Sequence, residues 1–386
     1  MSSSTTTTTT KLLLLRRRTT SAAARRHSST FAHLTQSLQS RRLPPIYSDL
    51  TPASSHALGT TLSAYLPPHW TTSSPTTALP PNSVGAPLLP RSAPALPLPP
   101  AHHLVYFNPV IPADKLLHDG TDPLQSPGAP FVRRMWAGGY VKFAREGGQG
   151  PVLDGGRWVC VEGIRDVAVK GQEGEEKVFV GIERRVGRAA EREEGEDAVR
   201  ERLWAKREEE WGEASLIERR NIVFMRGRTT EEAKAEVERA RGKMLLPQNA
   251  PDFTHTFIPT PSLLFRYSAL TFNAHAIHLD PLYCRTVEGH RNLLFHGPLS
   301  LTLMTLLLQN NLPDPARHRI AEIEYRNLAP LYCDEPVKLC GRRSPENGGG
   351  NGKGRGEGEG RYELWVETPE GGLAVKGTAY TTAVRV

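Results

Sequence analysis

Residues 296–311 read HGPLSLTLMTLLLQNN, and few segments constrain a fold so tightly. Gly297 opens the run, and Pro298 stands at a first-turn position where a missing N–H costs nothing. Asn310 and Asn311 stop it ahead of Pro313. These signals predict a helix. Leu and Met fall on almost every side of it, so it should be buried all round rather than along one stripe. Four strand-like runs follow: RIAEIEYRNL, EPVKLCGRR, RYELWVET and GLAVKGTAYTTAV. A buried helix followed by long strands of alternating pattern implies an α+β fold, with an antiparallel sheet wrapped around the helix.

The earlier half repeats the strand pattern in HLVYFNPVI, RWVCVEGIRDVAVK, KVFVGIERRV and NIVFM, without an equally convincing helix. A degenerate internal duplication is the simplest account. Two charged runs, 191–210 and 229–244, predict solvated helices braced by i,i+4 pairs. The stretch 48–66 predicts a short helix capped by Ser48 or Asp49. A Pro-rich linker over 67–100 and a flexible Gly-rich loop over 343–360 complete the outline. The expected boundaries are 1–48 for a tail, 49–100 for the short helix and linker, 101–246 for the first half and 247–386 for the second.

The net charge of +7 is confined to that tail. Residues 1–48 carry eight basic side chains and no acidic one, which leaves forty basic against forty-one acidic in the remainder. Nucleic-acid binding by the folded part is therefore not indicated. An acid-poor, Arg-rich, Ser/Thr-rich leader containing KLLLLRRR has the composition of a mitochondrial presequence, disordered and cleaved. The four cysteines, Cys160, Cys284, Cys333 and Cys340, form no CxxC and are read as free thiols. No apolar run approaches the ~20 residues of a bilayer span.

The chemistry concentrates in TFNAHAIHLD, residues 271–280. Asn273, His275, His278 and Asp280 lack the i,i+4 His pair with an intervening Glu that a hydrolytic zinc centre uses, so no metal is expected. An imidazole just ahead of a Gly-led helix suits proton abstraction next to a carbonyl polarised by the helix N–H groups. Hydrogen-bonded structural histidines fit the same residues, and both readings stand at this level.

The segments LFRYSALTFNAHAIHLD and EGHRNLLFHGPL, with VRRMWAGG (132–139) and ERRNIVF (218–224), resemble the mitochondrial 3-hydroxyacyl-thioester dehydratases of type 2. Bacterial mesaconyl-C4-CoA hydratases look similar over the same block. Both lie within the MaoC-like, (R)-specific enoyl-CoA hydratase superfamily of hot-dog folds. The resemblance covers most of residues 45–386, and the 264–299 block is its specific part. It implies a double hot-dog whose second half is catalytic and whose first half has lost the motif and shapes an acyl tunnel.

The superfamily motif Asp-x-Asn-x-x-His falls on Asn273, His275 and His278, so the leading carboxylate is replaced by an amide. The resemblance then implies reversible dehydration of an (R)-3-hydroxyacyl thioester to the trans-2-enoyl thioester, in mitochondrial fatty-acid synthesis. His278 would remove the α-proton and help deliver it to the leaving hydroxyl. Asn273 would hold that hydroxyl or a water, and the Gly297 N–H would meet the thioester carbonyl. Arg266, His275 and His296 are the expected substrate contacts. Acyl carrier protein or coenzyme A is the implied partner, with no cofactor, in the mitochondrial matrix. The alternatives are hydration of a short branched or dicarboxylic enoyl-CoA such as mesaconyl-C4-CoA, thioester hydrolysis, and non-catalytic acyl-thioester binding. Nothing in the sequence specifies an oligomeric state.

Overall fold

A computed structural model of the chain describes residues 31–72, 96–144, 150–239, 244–315, 317–345 and 360–383. Ten strands among them build one sheet. They are β1 (Ile46–Asp49), β2 (Arg133–Phe143), β3 (Arg157–Lys170), β4 (Lys177–Arg188), β5 (Leu216–Met225), β6 (Phe253–Phe257), β7 (His318–Asn327), β8 (Val337–Arg343), β9 (Gly360–Glu367) and β10 (Leu373–Ala383). Their order is β1-β3-β4-β5-β2-β7-β10-β9-β8-β6, and every neighbouring pair is antiparallel. The first five strands run β1-β3-β4-β5-β2. The second five, read from the other edge, run β6-β8-β9-β10-β7, which is the same order. The chain is thus a double hot-dog, and the duplication that was weak residue by residue is explicit in the topology. The helix after each opening strand repeats too: Pro52–Ser63 follows β1, Pro261–Leu270 follows β6, and the two pack together.

The second half wraps its sheet around the helix Gly297–Gln309, whose Leu299, Leu301, Leu303, Met304, Leu307 and Leu308 are wholly buried. Among the described residues the first half has no such helix. Its inner sheet face carries ions where the second half packs Leu. Arg184 lies 3.0 Å from both Glu162 and Glu218, and Arg220 lies 2.7 Å from Glu218. Burial raises the Glu218 pKa, but Arg220, His103 and Arg184 outweigh it and hold the carboxylate well below its usual range. On the opposite face Val159 and Val161 of β3 pack under Val199 and Leu203 of the helix Glu196–Leu203, beside a buried Glu183 that pairs with Arg165 and Arg185.

Four sequence expectations change here. HLVYFNPVI is no strand: His102–Val105 form a 3-10 turn that seats Leu104, Val105, Tyr106 and Phe107 in the core. VRRMWAGG, which carries two glycines, begins the strand β2. Ser48 and Asp49 end β1 instead of capping a helix, and Thr51 stands at the N-cap. Residues 31–48, expected in the disordered leader, are folded from the helix His33–Gln39 onward, with Leu34, Leu38 and Leu43 buried against the sheet. The rest of that leader, most of the 67–100 linker and most of the 343–360 loop lie outside the described residues. All four cysteines are free and buried, and among the described residues no helix is long and apolar enough to cross a membrane.

The halves meet where β2 pairs with β5 on one side and β7 on the other, across a bulge between Trp136 and Gly138. Backbones approach too closely there for a side chain. A Cβ on Gly138 would lie 2.2 Å from the Tyr325 carbonyl oxygen, and one on Gly139 would lie 1.8 Å from that of Arg219. Gly139→Ala should therefore cost about 1–3 kcal/mol or more by overpacking, read as a lower midpoint in chemical denaturation. An unchanged midpoint would mean that the junction is looser than described.

Candidate active site

A cavity of about 520 Å³ opens between the halves. Its second-half wall is built by three short elements. The helix Pro261–Leu270 starts at Thr260, whose hydroxyl accepts from the Leu263 N–H, and it turns Leu263, Leu264, Tyr267 and Ser268 inward. The chain then reverses through Phe272, at φ 48°, into the 3-10 turn Ala276–His278. The third element is the first turn of Gly297–Gln309.

Asn273 Oδ1 accepts the backbone N–H of His275 at 3.1 Å, closing an Asx turn that leaves only the Asn273 amide N–H groups for another partner. His278 is buried and its Nδ1 lies 2.8 Å from the Leu294 carbonyl oxygen. A carbonyl can only accept, so Nδ1 carries the proton and Nε2 keeps its lone pair. Burial lowers the His278 pKa to about 4 against the raising effect of that bond, so the ring is neutral at physiological pH.

His296 stacks on His278 with ring centroids 3.6 Å apart, and its Nε2 sits 2.9 Å from Ser268 Oγ. Burial, then His278 and His275, hold it well below the ordinary imidazole range. It lines the cavity as a buried support for His278. His275 meets His278 edge-on at 5.6 Å, and its Nε2 lies 3.5 Å from Asp119 Oδ2. Burial first, then His278, Arg134 and His118, push its pKa down. Gly297 lines the cavity at the first position of its helix, where the N–H has no intrahelical acceptor. A Cβ there would meet Asn327 Nδ2 at 2.8 Å and Trp136 Cβ at 3.1 Å, so glycine is required for this approach.

The structure therefore gathers Asn273, His275, His278, His296 and Gly297 around one space. Arg266 is not with them. It lies on the exposed side of Pro261–Leu270, opposite the inward residues, and is absent from the cavity wall. Phe265 and Phe272 line the cavity while 62% and 60% exposed, which places them at its mouth. Among the first-half contributors, sequence reasoning placed Trp136 in the core or tunnel wall and missed the rest. Trp136 forms part of the wall and donates its Nε1–H to the Tyr325 hydroxyl at 2.7 Å. Arg134, Glu162 and Arg220 also line it. For Arg134 and Arg220 the only signal was the VRRMWAGG and ERRNIVF resemblance, which gave no orientation, and Glu162 lies in neither segment. Among the described residues, no group of three or more His, Cys, Asp or Glu is placed to hold a metal.

The chain is thus a double hot-dog whose second half is filled by a helix, with an imidazole-lined cavity between the halves. The MaoC-like dehydratase from Phytophthora capsici has this fold, with a TM-score of 0.55 at 13% identity over 91% of this chain and 99% of that one. The sequence model for hydroxyacyl-thioester dehydratase type 2 matches residues 101–333. The chain belongs to that family and is a hydro-lyase. It is 30% identical to the mesaconyl-C(4)-CoA hydratase of Chloroflexus aurantiacus over 285 residues, 73% of this chain and 83% of that protein. It is 26% identical to the mitochondrial hydroxyacyl-thioester dehydratase type 2 of Schizosaccharomyces pombe over 250 residues, 63% and 77% of the two chains.

Proposed function

We propose that the protein interconverts (R)-3-hydroxyacyl and trans-2-enoyl thioesters of coenzyme A or acyl carrier protein in mitochondrial fatty-acid synthesis. One observation carries the reading: His278 keeps an unprotonated Nε2 in a cavity that also holds the first N–H of a buried helix. In the dehydration direction His278 Nε2 takes the α-proton. Negative charge moves onto the thioester oxygen, where the Gly297 N–H donates to it. The electron pair then forms the Cα–Cβ double bond and the Cβ–O bond breaks. The departing hydroxyl, steered by the Asn273 amide, takes one proton from the imidazole cluster, matching the one His278 has gained, and leaves as water. The names of the fission-yeast and budding-yeast relatives, both called mitochondrial, support the compartment together with the acid-poor leader.

His278→Ala should lower hydration of crotonyl-CoA by about 10²–10⁴-fold, followed as loss of enoyl absorbance, with the cooperative melt retained. Turnover equal to wild type would remove His278 from the mechanism. Because burial holds its pKa at about 4, dehydration should decline as pH falls through about 4. An acid limb near 6.5 would mean that the ring is hydrated in the working enzyme.

A second reading has its own support. Arg134 lines the cavity with its Nη2 on the Asp122 carbonyl oxygen at 2.9 Å and its guanidinium over Phe224, and no carboxylate among the described residues pairs with it. A cation in the cavity wall with Asp122 and Asp119 nearby but no carboxylate within ion-pair distance suits the distal carboxylate of a dicarboxylic enoyl-CoA. If that is the substrate, Arg134→Leu should reduce kcat/KM for mesaconyl-C4-CoA by on the order of 10²-fold and spare crotonyl-CoA. Equal losses on both would assign Arg134 to the shared part of the substrate.

A further inference from the structure

Asn273 stands where the superfamily motif has a carboxylate, and an amide has no proton to give a departing hydroxide. The fold brings one carboxylate close to the motif from the other half of the molecule. Asp119 is 1% exposed and lies in the turn 117–121, closed by the Gly120 N–H on the Leu117 carbonyl at 2.8 Å and the Leu117 N–H on that of Thr121 at 2.8 Å. This turn docks on the motif without slack. The Ala276 N–H donates to the Asp119 carbonyl at 2.8 Å, and a Cβ on Gly120, at φ 81°, would fall 2.1 Å from the Ala274 oxygen.

The Asp119 carboxylate is divided in its bonding. Oδ1 accepts from Thr121, from the N–H at 3.0 Å and the hydroxyl at 2.5 Å. Oδ2 is buried without a hydrogen-bond partner, as is Nε2 of His275, itself 5% exposed, and the two atoms lie 3.5 Å apart. Each is the other's nearest complement. With Nε2 turned to Asp119, Nδ1 is the ring nitrogen that His275 has left for the cavity it lines.

Resting on the hydro-lyase reading above, we infer that His275, held and charge-compensated by Asp119, is the second catalytic group, giving a proton to the hydroxyl while His278 takes the α-proton. The balance is one proton across two imidazoles. Dehydration starts from the minor form in which His275 holds a proton against the pull of burial, its charge matched by Asp119. The α-proton moves to His278 Nε2, the Cβ–O bond breaks, and His275 Nδ1–H protonates the departing oxygen to form water. It ends with His278 protonated and His275 neutral, and the pair re-equilibrates between turnovers. Hydration is the reverse. Asp119 is a positioning residue, because it touches His275 and not the substrate. The groups facing His275 are Asp119, His278, His296, Arg134 and His118. The others are neutral or cationic, so only Asp119 favours the charged ring. The arrangement resembles an Asp–His pair in which the carboxylate fixes the tautomer and stabilises the imidazolium.

The test compares two leaving groups in the full-length protein. Hydroxide needs a proton to depart and chloride does not. Elimination from a 3-chlorobutyryl-CoA of matching configuration breaks Cα–H and Cβ–Cl, the proton going to His278 and the electron pair leaving with chloride. Asp119→Asn keeps Oδ1 on Thr121, so the turn is spared, while the charge is lost and the tautomer preference of His275 reverses. Asp119→Asn and His275→Gln should each lower kcat for 3-hydroxybutyryl-CoA by on the order of 10²-fold at little changed KM, and hold chloride elimination within a few-fold. Their double mutant should be little worse than His275→Gln. Equal losses on both substrates, additive losses, or an Asp119→Asn enzyme as fast as wild type would each overturn the assignment. If Asp119→Asn does not melt cooperatively, the leaving-group comparison on His275→Gln decides alone. A wild type that processes neither substrate would instead defeat the hydro-lyase reading itself.

Discussion

Gly139 crosses Arg219 inside the first half with no room for a side chain, and the site exists because Gly138 crosses Tyr325 of the second half just as closely. That contact joins the halves through β2 and β7 in one continuous sheet. It fixes Trp136 and Arg134, from the strand that makes the junction, against a cavity whose chemistry comes from the second half. A looser junction would still allow each half to fold its own strands. It would not hold the Gly297 helix start within van der Waals reach of Trp136. Every later feature of the site inherits this register.

Burial then decides the chemistry. Three imidazoles lie within stacking or edge contact of one another, and each is pushed toward the neutral form by loss of solvent and by its neighbours. Neutral rings serve as proton acceptors, and in a buried cluster two cannot comfortably hold charge together. The backbone carbonyl of Leu294 selects which nitrogen of His278 carries the proton and which keeps its lone pair. Among the described residues the first half sets ions where the second half has its central helix. Glu162, Arg184, Glu218 and Arg220 compensate one another on its inner face, so the charges are retained without an excess of one sign.

The second half was readable because its signals are local. The Gly297–Gln309 helix carries its own start and stop chemistry, and the alternation of its strands gives their buried faces directly. The motif residues Asn273, His275 and His278 were found by their resemblance and do share one turn. Failures came where tertiary contact overrides local pattern. The strand Arg133–Phe143 was not read from VRRMWAGG, and its Gly138 and Gly139 allow a close crossing. The apolar run at 103–107 reads as a strand but follows a 3-10 turn into the core. Arg266 was avoidable, since Leu263, Leu264, Tyr267 and Ser268 already define the inward side of its helix. Asp119 was not, because nothing near HDGTD announces contact with a histidine 156 positions later.

The central claim is that His278 and the Gly297 N–H act together on the α-carbon and thioester of a 3-hydroxyacyl chain. Hydration of crotonyl-CoA in D₂O, with the product analysed by NMR and chiral separation, tests it most directly. The account predicts (R)-3-hydroxybutyryl-CoA carrying a single deuteron at Cα, added on the same face as the hydroxyl. The (S) product, deuterium on the opposite face, or free thiol beside an intact double bond would contradict it.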